Sequence, residues 1–286
     1  MKTDEQTGVT ALETAWIESG SAKAYLAPSR GGILTRFSVG GRDLLYLDDA
    51  TLLDPTKNVR GGNPVLFPSP GPLAGDRFEW RGKKGAMKQH GVARNMAWRA
   101  EVTAKDSVAL RTASDDTTLA QFPFRFALAY RYTLAGPRLR IDQRIENTGD
   151  DPMPFAAGFH PYFAVRDADK TKTRIPTKAT RAWDNVTKKE IAIERAIELA
   201  APEVDLHLVD HGRSEASIDL ADGSHIVVRG SAEYRRWVIW TLAGKDYVCL
   251  EPWTAAANAI NTGESLLVVA PHEAKELFVE IELVGG

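Results

Sequence analysis

Apolar residues recur at every second position along much of this chain, and a period of two describes strands rather than helices. From Phe126 they fall on Phe126, Leu128, Tyr130, Tyr132 and Leu134, until Gly136-Pro137 interrupts the run. Leu139, Ile141 and Ile145 then face one way, with Arg138, Arg140, Asp142, Arg144 and Glu146 facing the other. Two alternating runs around a Gly-Pro break predict an antiparallel hairpin with one wet face. Short β-branched or aromatic runs follow at Ile226-Val227-Val228, Trp237-Val238-Ile239-Trp240, Tyr247-Val248-Cys249-Leu250 and 266–269. The last run sets Leu277, Val279, Ile281 and Leu283 against Glu276, Glu280 and Glu282. Earlier, residues 33–39 and 44–47 read as strands flanking the turn Gly40-Gly41. Residues 189–200 fit neither period and stay unassigned.

Many short strands with turn signals between them predict an all-β protein, a large antiparallel sandwich. No linker, repeat or low-complexity block divides the 286 residues. A single domain spanning 1–286 is therefore expected. The 36 basic and 38 acidic residues give a net charge of -2, which argues against a nucleic-acid partner. One cysteine, Cys249, rules out an intramolecular disulfide or a zinc ribbon. The opening Met1-Lys2-Thr3-Asp4-Glu5-Gln6 is polar, and no stretch approaches the roughly 20 apolar residues that cross a bilayer. No membrane association and a cytoplasmic setting are the corresponding expectations.

Three segments carry residues that strand formation alone does not require. The first runs from Arg60-Gly61-Gly62-Asn63-Pro64-Val65-Leu66-Phe67-Pro68 to His90-Gly91-Val92-Ala93-Arg94. Its glycines let backbone approach a ligand and its prolines stiffen the loop, although a plain surface loop would look similar. In the second, Gly158-Phe159-His160-Pro161-Tyr162-Phe163, a histidine sits in an aromatic run. His160 is either a core imidazole satisfied by a backbone partner or a proton donor tuned by its surroundings. The third is Leu250-Glu251-Pro252-Trp253, where a carboxylate closes an apolar strand. Glu251 either faces water at the strand end or is held for use. Trp237, Trp240 and Trp253 are candidates for core or for a wall on which a sugar ring stacks.

Taken in order, these motifs, together with Asn261-Thr-Gly and Pro271, resemble the aldose 1-epimerase (galactose mutarotase-like) family over nearly the whole chain. The resemblance implies a β supersandwich. It implies that His160 acts as general acid on the ring oxygen and Glu251 as general base on the anomeric hydroxyl. It further implies that His90, Arg60 and Asp205 bind sugar hydroxyls. Arg94 matches the arginine of the branch that includes hexose-6-phosphate epimerases.

Exchanging α and β anomers moves one proton off the C1 hydroxyl and one onto the ring oxygen. An acid and a base on opposite sides of the anomeric carbon suffice, so neither metal nor other cofactor is expected. Glu251 would be ionised at neutral pH and His160 partly protonated. Two departures bear on the substrate. Val92 replaces the family's usual aromatic after His-Gly, and Pro68-Ser69-Pro70-Gly71 differs from the loop common among hexose-6-phosphate epimerases. A free aldose and a sugar phosphate therefore both remain open. The alternative to catalysis is a module on the same fold that binds a sugar or sugar phosphate without turning it over. A glycosidase would need a second carboxylate such as Asp205 across the scissile bond, and no pattern points to that. By alternation Cys249 shares the face of Glu251, where packing beside the pocket is the expected role.

Overall fold

Strand alternation becomes two large antiparallel sheets in the computed structural model, which describes residues 12–285. The first has seven strands in the order Glu215–Asp219, His225–Gly230, Ala274–Val284, Arg138–Asn147, Phe126–Ala135, Ser107–Ala113 and Arg99–Ala104. Its centre is the expected hairpin, with Leu128 opposite Ile145 and Tyr132 opposite Ile141. Leu128, Tyr130, Tyr132, Ile141 and Ile145 are all buried, while Arg140 and Arg144 pair with Glu280 and Glu276 on the outer face. The second sheet has eight strands and holds Arg181–Asp184, Glu203–Leu208, Arg236–Leu242 and Tyr247–Trp253 side by side. A four-stranded sheet, Ala15–Ser19 to Arg42–Asp43, packs its Ile17, Ala24, Leu26 and Phe37 into the same core.

That core joins Val108, Leu110 and Leu128 of the seven-stranded sheet to Phe159, Leu206, Ile239, Val248 and Leu250 of the eight-stranded one. The inner face of the eight-stranded sheet is thus committed to packing. Its other face is free to carry polar side chains. Among the described residues no helix is long and apolar enough to cross a membrane. The segment Met1 to Gln6 lies outside them.

Two expectations are corrected. Only Arg42–Asp43 follows the Gly40-Gly41 turn as a strand; residues 44–47 contribute isolated bridges from Leu45 to Phe163 and from Leu47 to Gly61. The unassigned stretch begins with an exposed edge strand, Lys189–Ala192. With no apolar face to bury on either side, it displays neither period.

Close backbone approach explains two glycines in the motifs. Gly91 has φ +70°, and a Cβ there would strike the Phe67 carbonyl, which accepts from the N–H groups of Val92 and Ala93. Gly61, at φ +133°, would strike the backbone of Tyr46 and Leu47. Each glycine thereby lets a neighbouring functional segment lie close against another stretch of backbone. Gly91→Ala should cost roughly 1–3 kcal/mol from backbone strain alone, before the clash is added. Urea denaturation measures this, and a loss of only a few tenths would contradict the packing described.

Candidate active site

One strand register assembles the chemistry. The Tyr247–Trp253 strand pairs with two short strands, Gly158–Phe159 and Tyr162–Ala164. Gly158 lies opposite Trp253, and Tyr162 lies opposite Cys249. Both pairings keep the same register, so His160, in the gap between them, falls opposite Glu251. Pro161 cannot donate to a ladder, which accounts for the gap. The His160 N–H is instead donated to the Pro64 carbonyl at 3.2 Å. Opposed residues on an antiparallel pair have Cβ atoms about 4.5–5.5 Å apart. The side chains meet accordingly, with Nε2 of His160 3.4 Å from Oε1 of Glu251.

The same alternation fills the rest of the face. Glu251 is opposite Val238, and Cys249 is opposite Trp240, on the next strand. Trp240 is opposite Asp205, and Val238 opposite His207, on the strand beyond. His207 in turn is opposite Trp183. A cleft of about 620 Å³ opens over this face. All six residues singled out from sequence, Arg60, His90, Arg94, His160, Asp205 and Glu251, line it.

Loops bring in the cationic side. Backbone N–H and C=O of Arg60 bond to Thr51 Oγ1 and to the Asp48 N–H, and Asp48 caps the short helix Asp49–Leu53. Its guanidinium lies 5.9 Å from the Trp240 ring centre. Arg94 sits in a short 3-10 turn, Ala93–Asn95, pinned to the Phe67 carbonyl. Among the described residues, neither Arg60 nor Arg94 has a carboxylate partner. Positive φ at His90 turns its ring so that Nδ1 donates to the Pro70 carbonyl at 2.6 Å. Burial, reinforced by Arg94, lowers the His90 pKa to about 4, so the ring is neutral and Nε2 keeps a lone pair to accept a hydroxyl proton.

Electrostatics of the central pair depart from the sequence expectation. Glu251 is 2% exposed and lies inside its strand rather than at a wet end. Burial pushes its pKa well above the usual carboxylate value, and Asp205 adds to this, while the hydrogen bond from Trp253 Nε1 to Oε2 at 3.1 Å opposes it. Burial holds His160 well below the ordinary imidazole value, and the Arg94 guanidinium adds to this. An ionised Glu251 beside a partly protonated His160 is therefore not the favoured resting form. A low-dielectric floor favours one proton shared as a neutral acid and a neutral imidazole. The pair also stands side by side rather than across a gap.

Several cleft residues were not anticipated. Tyr162 stacks on His160 at 4.7 Å between ring centres. Trp183, Asn185 and His207 complete the wall. Asn185 donates to Asp205 Oδ2 at 2.7 Å, and His207 Nε2 is 3.3 Å from Oδ1. Counting by two from His160 and Asp205 would have found Tyr162 and His207. Trp183 and Asn185 depend on a strand pairing that sequence does not display. The three tryptophans divide: Trp237 is core and donates to the Arg213 carbonyl, whereas Trp240 and Trp253 line the cleft. Val92 is buried in the core and is not on the cleft wall. The Pro68-Ser69-Pro70-Gly71 loop is buried rather than a surface loop.

Comparison with known proteins identifies the family. The family model for aldose 1-epimerase matches residues 18–281. The chain is 28% identical over 80% of its length, and 67% of the relative's, to a Cenchrus ciliaris protein named "Putative glucose-6-phosphate 1-epimerase". The matched region spans between 51% and 67% of the lengths of three curated relatives. Its fold superposes on the crystal structure of the Slr1438 protein from Synechocystis sp. PCC 6803 with a TM-score of 0.93, 37% identity and full coverage of both chains. A galactose mutarotase related enzyme from Lactobacillus acidophilus shares the fold, with a TM-score of 0.78, 19% identity and coverage of 96% and 98% of the two chains. Matched across nearly its whole length, the chain belongs to the aldose 1-epimerase family, a family of isomerases.

Proposed function

We propose that this protein interconverts the α and β anomers of an aldohexose or its 6-phosphate without a cofactor, using His160 and Glu251. The observation that carries this reading is the His160–Glu251 pair, 3.4 Å apart on the floor of the cleft. The two oxygens that exchange protons in mutarotation, O1 and O5, are bonded to the same carbon. A neighbouring base and acid match neighbouring oxygens better than a base and acid set far apart.

Glu251 takes the proton from the O1 hydroxyl while His160 gives one to O5. The C1–O5 bond breaks, leaving an open-chain aldehyde, a protonated Glu251 and a neutral His160. Rotation about C1–C2 presents the other carbonyl face. Closure then returns the proton from Glu251 to O1, and His160 recovers its own from the O5 hydroxyl. Each half-reaction moves the pair between its two tautomers and leaves its proton count unchanged. The burial that favours the neutral tautomer therefore stabilises the form that accompanies the open-chain sugar. Neutral His90 and Asp205, held by Asn185 and His207, supply acceptors for ring hydroxyls. Trp240 and Trp253 offer aromatic faces.

Saturation-transfer NMR on glucose, galactose and glucose 6-phosphate measures anomer exchange directly. His160→Gln and Glu251→Gln should each slow exchange by roughly 10²–10⁴, as loss of acid–base catalysis does. Near wild-type exchange in both variants would refute the assigned roles, and tight sugar binding with no exchange would point to a binding module.

Activity requires one proton on the pair, so its pH profile should be bell-shaped. Charged and titratable groups near the pair are His90, Arg60, Arg94, Asp205 and Tyr162 in the cleft, with the Cys249 thiol buried behind it. With His160 lowered, the acid limb should lie below the ordinary imidazole value of about 6.5. With Glu251 raised, loss of its proton sets the basic limb. Asp205→Asn removes a negative charge that raises Glu251, so the basic limb of kcat/KM should move to lower pH. A shift to higher pH would contradict this assignment.

Arg60 and Arg94, without carboxylate partners among the described residues, favour a phosphorylated substrate, as does the name of the Cenchrus ciliaris relative. A hydrogen bond to a charged group is worth about 1.5–3 kcal/mol, or roughly 10- to 150-fold. Arg94→Ala should reduce kcat/KM for glucose 6-phosphate by that factor and spare glucose. Equal losses on both sugars would place Arg94 outside phosphate recognition.

A further inference from the structure

Directly beneath the proposed acid–base pair lies a third group that the reaction does not use. Cys249 precedes Glu251 by two residues and shares its face of the strand. Its sulfur is fully buried, held against Tyr162 and Tyr247. The thiol Sγ, one imidazole nitrogen of His160 and one carboxylate oxygen of Glu251 all lie within 4.8 Å of one another. Two donors on one tetrahedral Zn²⁺, each about 2.0–2.1 Å from the ion, stand about 3.3 Å apart. The 3.4 Å between His160 Nε2 and Glu251 Oε1 already has that spacing. Closing the sulfur onto the same centre needs a movement of less than about 1.5 Å.

A second observation concerns the imidazole. Nδ1 of His160 is buried with no hydrogen-bond partner among the described residues. His90 is locked in one tautomer by the Pro70 carbonyl, whereas no side chain among the described residues hydrogen-bonds Nδ1 of His160. Its proton can sit on Nδ1 and leave a lone pair on Nε2, facing Glu251.

We propose that His160, Cys249 and Glu251 form a capture site for a thiophilic divalent cation, Zn²⁺ in the first instance, which reversibly blocks the cleft. Thiolate, imidazole and carboxylate together suit Zn²⁺, Co²⁺ or Cd²⁺, and not Mg²⁺ or Ca²⁺, which take oxygen ligands. As the metal–sulfur, metal–nitrogen and metal–oxygen bonds form, the Cys249 S–H proton and the single proton of the His160–Glu251 pair leave to solvent. No electrons move. Two negative ligands then neutralise the dication, which removes the cost of a net charge on the buried floor. The fourth position faces the cleft and is open to water. Resident zinc histidines donate their second N–H to a partner, and that support is typically worth 10–100-fold in affinity. His160 Nδ1 has no such partner among the described residues, which favours reversible capture over a permanent metal centre.

The consequence for activity rests on the proposed function, because the ion would take both the acid and the base. Co²⁺ titration tests the site independently of activity. One equivalent should give tetrahedral d–d absorption with a thiolate-to-metal charge-transfer band, and Cys249→Ala or Cys249→Val should abolish that band. In anomer-exchange assays Zn²⁺ should inhibit in step with occupancy, EDTA should restore exchange, and Mg²⁺ should have no effect. Either cysteine variant should raise the Zn²⁺ concentration for half-inhibition at least tenfold while retaining exchange. Absence of the charge-transfer band, acceleration by Zn²⁺, or unchanged inhibition in both variants would overturn the proposal. A charge-transfer band in a protein that exchanges no sugar would support the metal site and refute the proposed function.

Discussion

The opposed pair of His160 and Glu251 is the contact around which the cleft is organised. It exists because Gly158 and Tyr162 hold one register against the Tyr247–Trp253 strand on both sides of a break. A one-residue slip would turn Glu251 into the core and bring Leu250 or Pro252 to the cleft. The packing of Val248 and Leu250 against the seven-stranded sheet forbids that slip. Core and chemistry are two faces of one strand, and hydrophobic burial on one face fixes the position of ionisable groups on the other.

The fold was legible because period two is a local property. The hairpin from Phe126 to Asn147 needed only alternation and the Gly-Pro break, and both survive into the observed pairing. The Lys189–Ala192 strand was not legible, since an exposed edge strand gives no apolar signal. Residues 44–47 erred in the other direction. Their apolar character comes from packing beside the Tyr162 strand, and isolated bridges suffice there.

Within the cleft, sequence motifs marked residues but not their states. His160 and Glu251 stood out as chemistry in apolar surroundings, yet their protonation depends on burial produced by neighbours distant in the chain. Asp205 raises Glu251 from two strands away, and Arg94 lowers His160 from a separate loop. Asn185 and His207, which hold Asp205, carry no motif of their own. Such couplings come from strand order, and strand order is the part of a β sandwich that local sequence patterns encode least.

Burial at the base of the cleft disfavours charge on His160, Glu251 and Cys249 alike. It disfavours the separated charges of Glu251 and His160 and so favours the tautomer in which the pair is neutral. It disfavours thiolate at Cys249 in the same manner and keeps the sulfur inert toward a passing sugar. A dication reverses the balance, because ionised sulfur and ionised carboxylate are then neutralised where they stand. A site arranged for net-neutral proton exchange is, on the same electrostatic grounds, receptive to a net-neutral metal complex. The pair's readiness to share a proton and its vulnerability to a thiophilic cation follow from one dielectric environment.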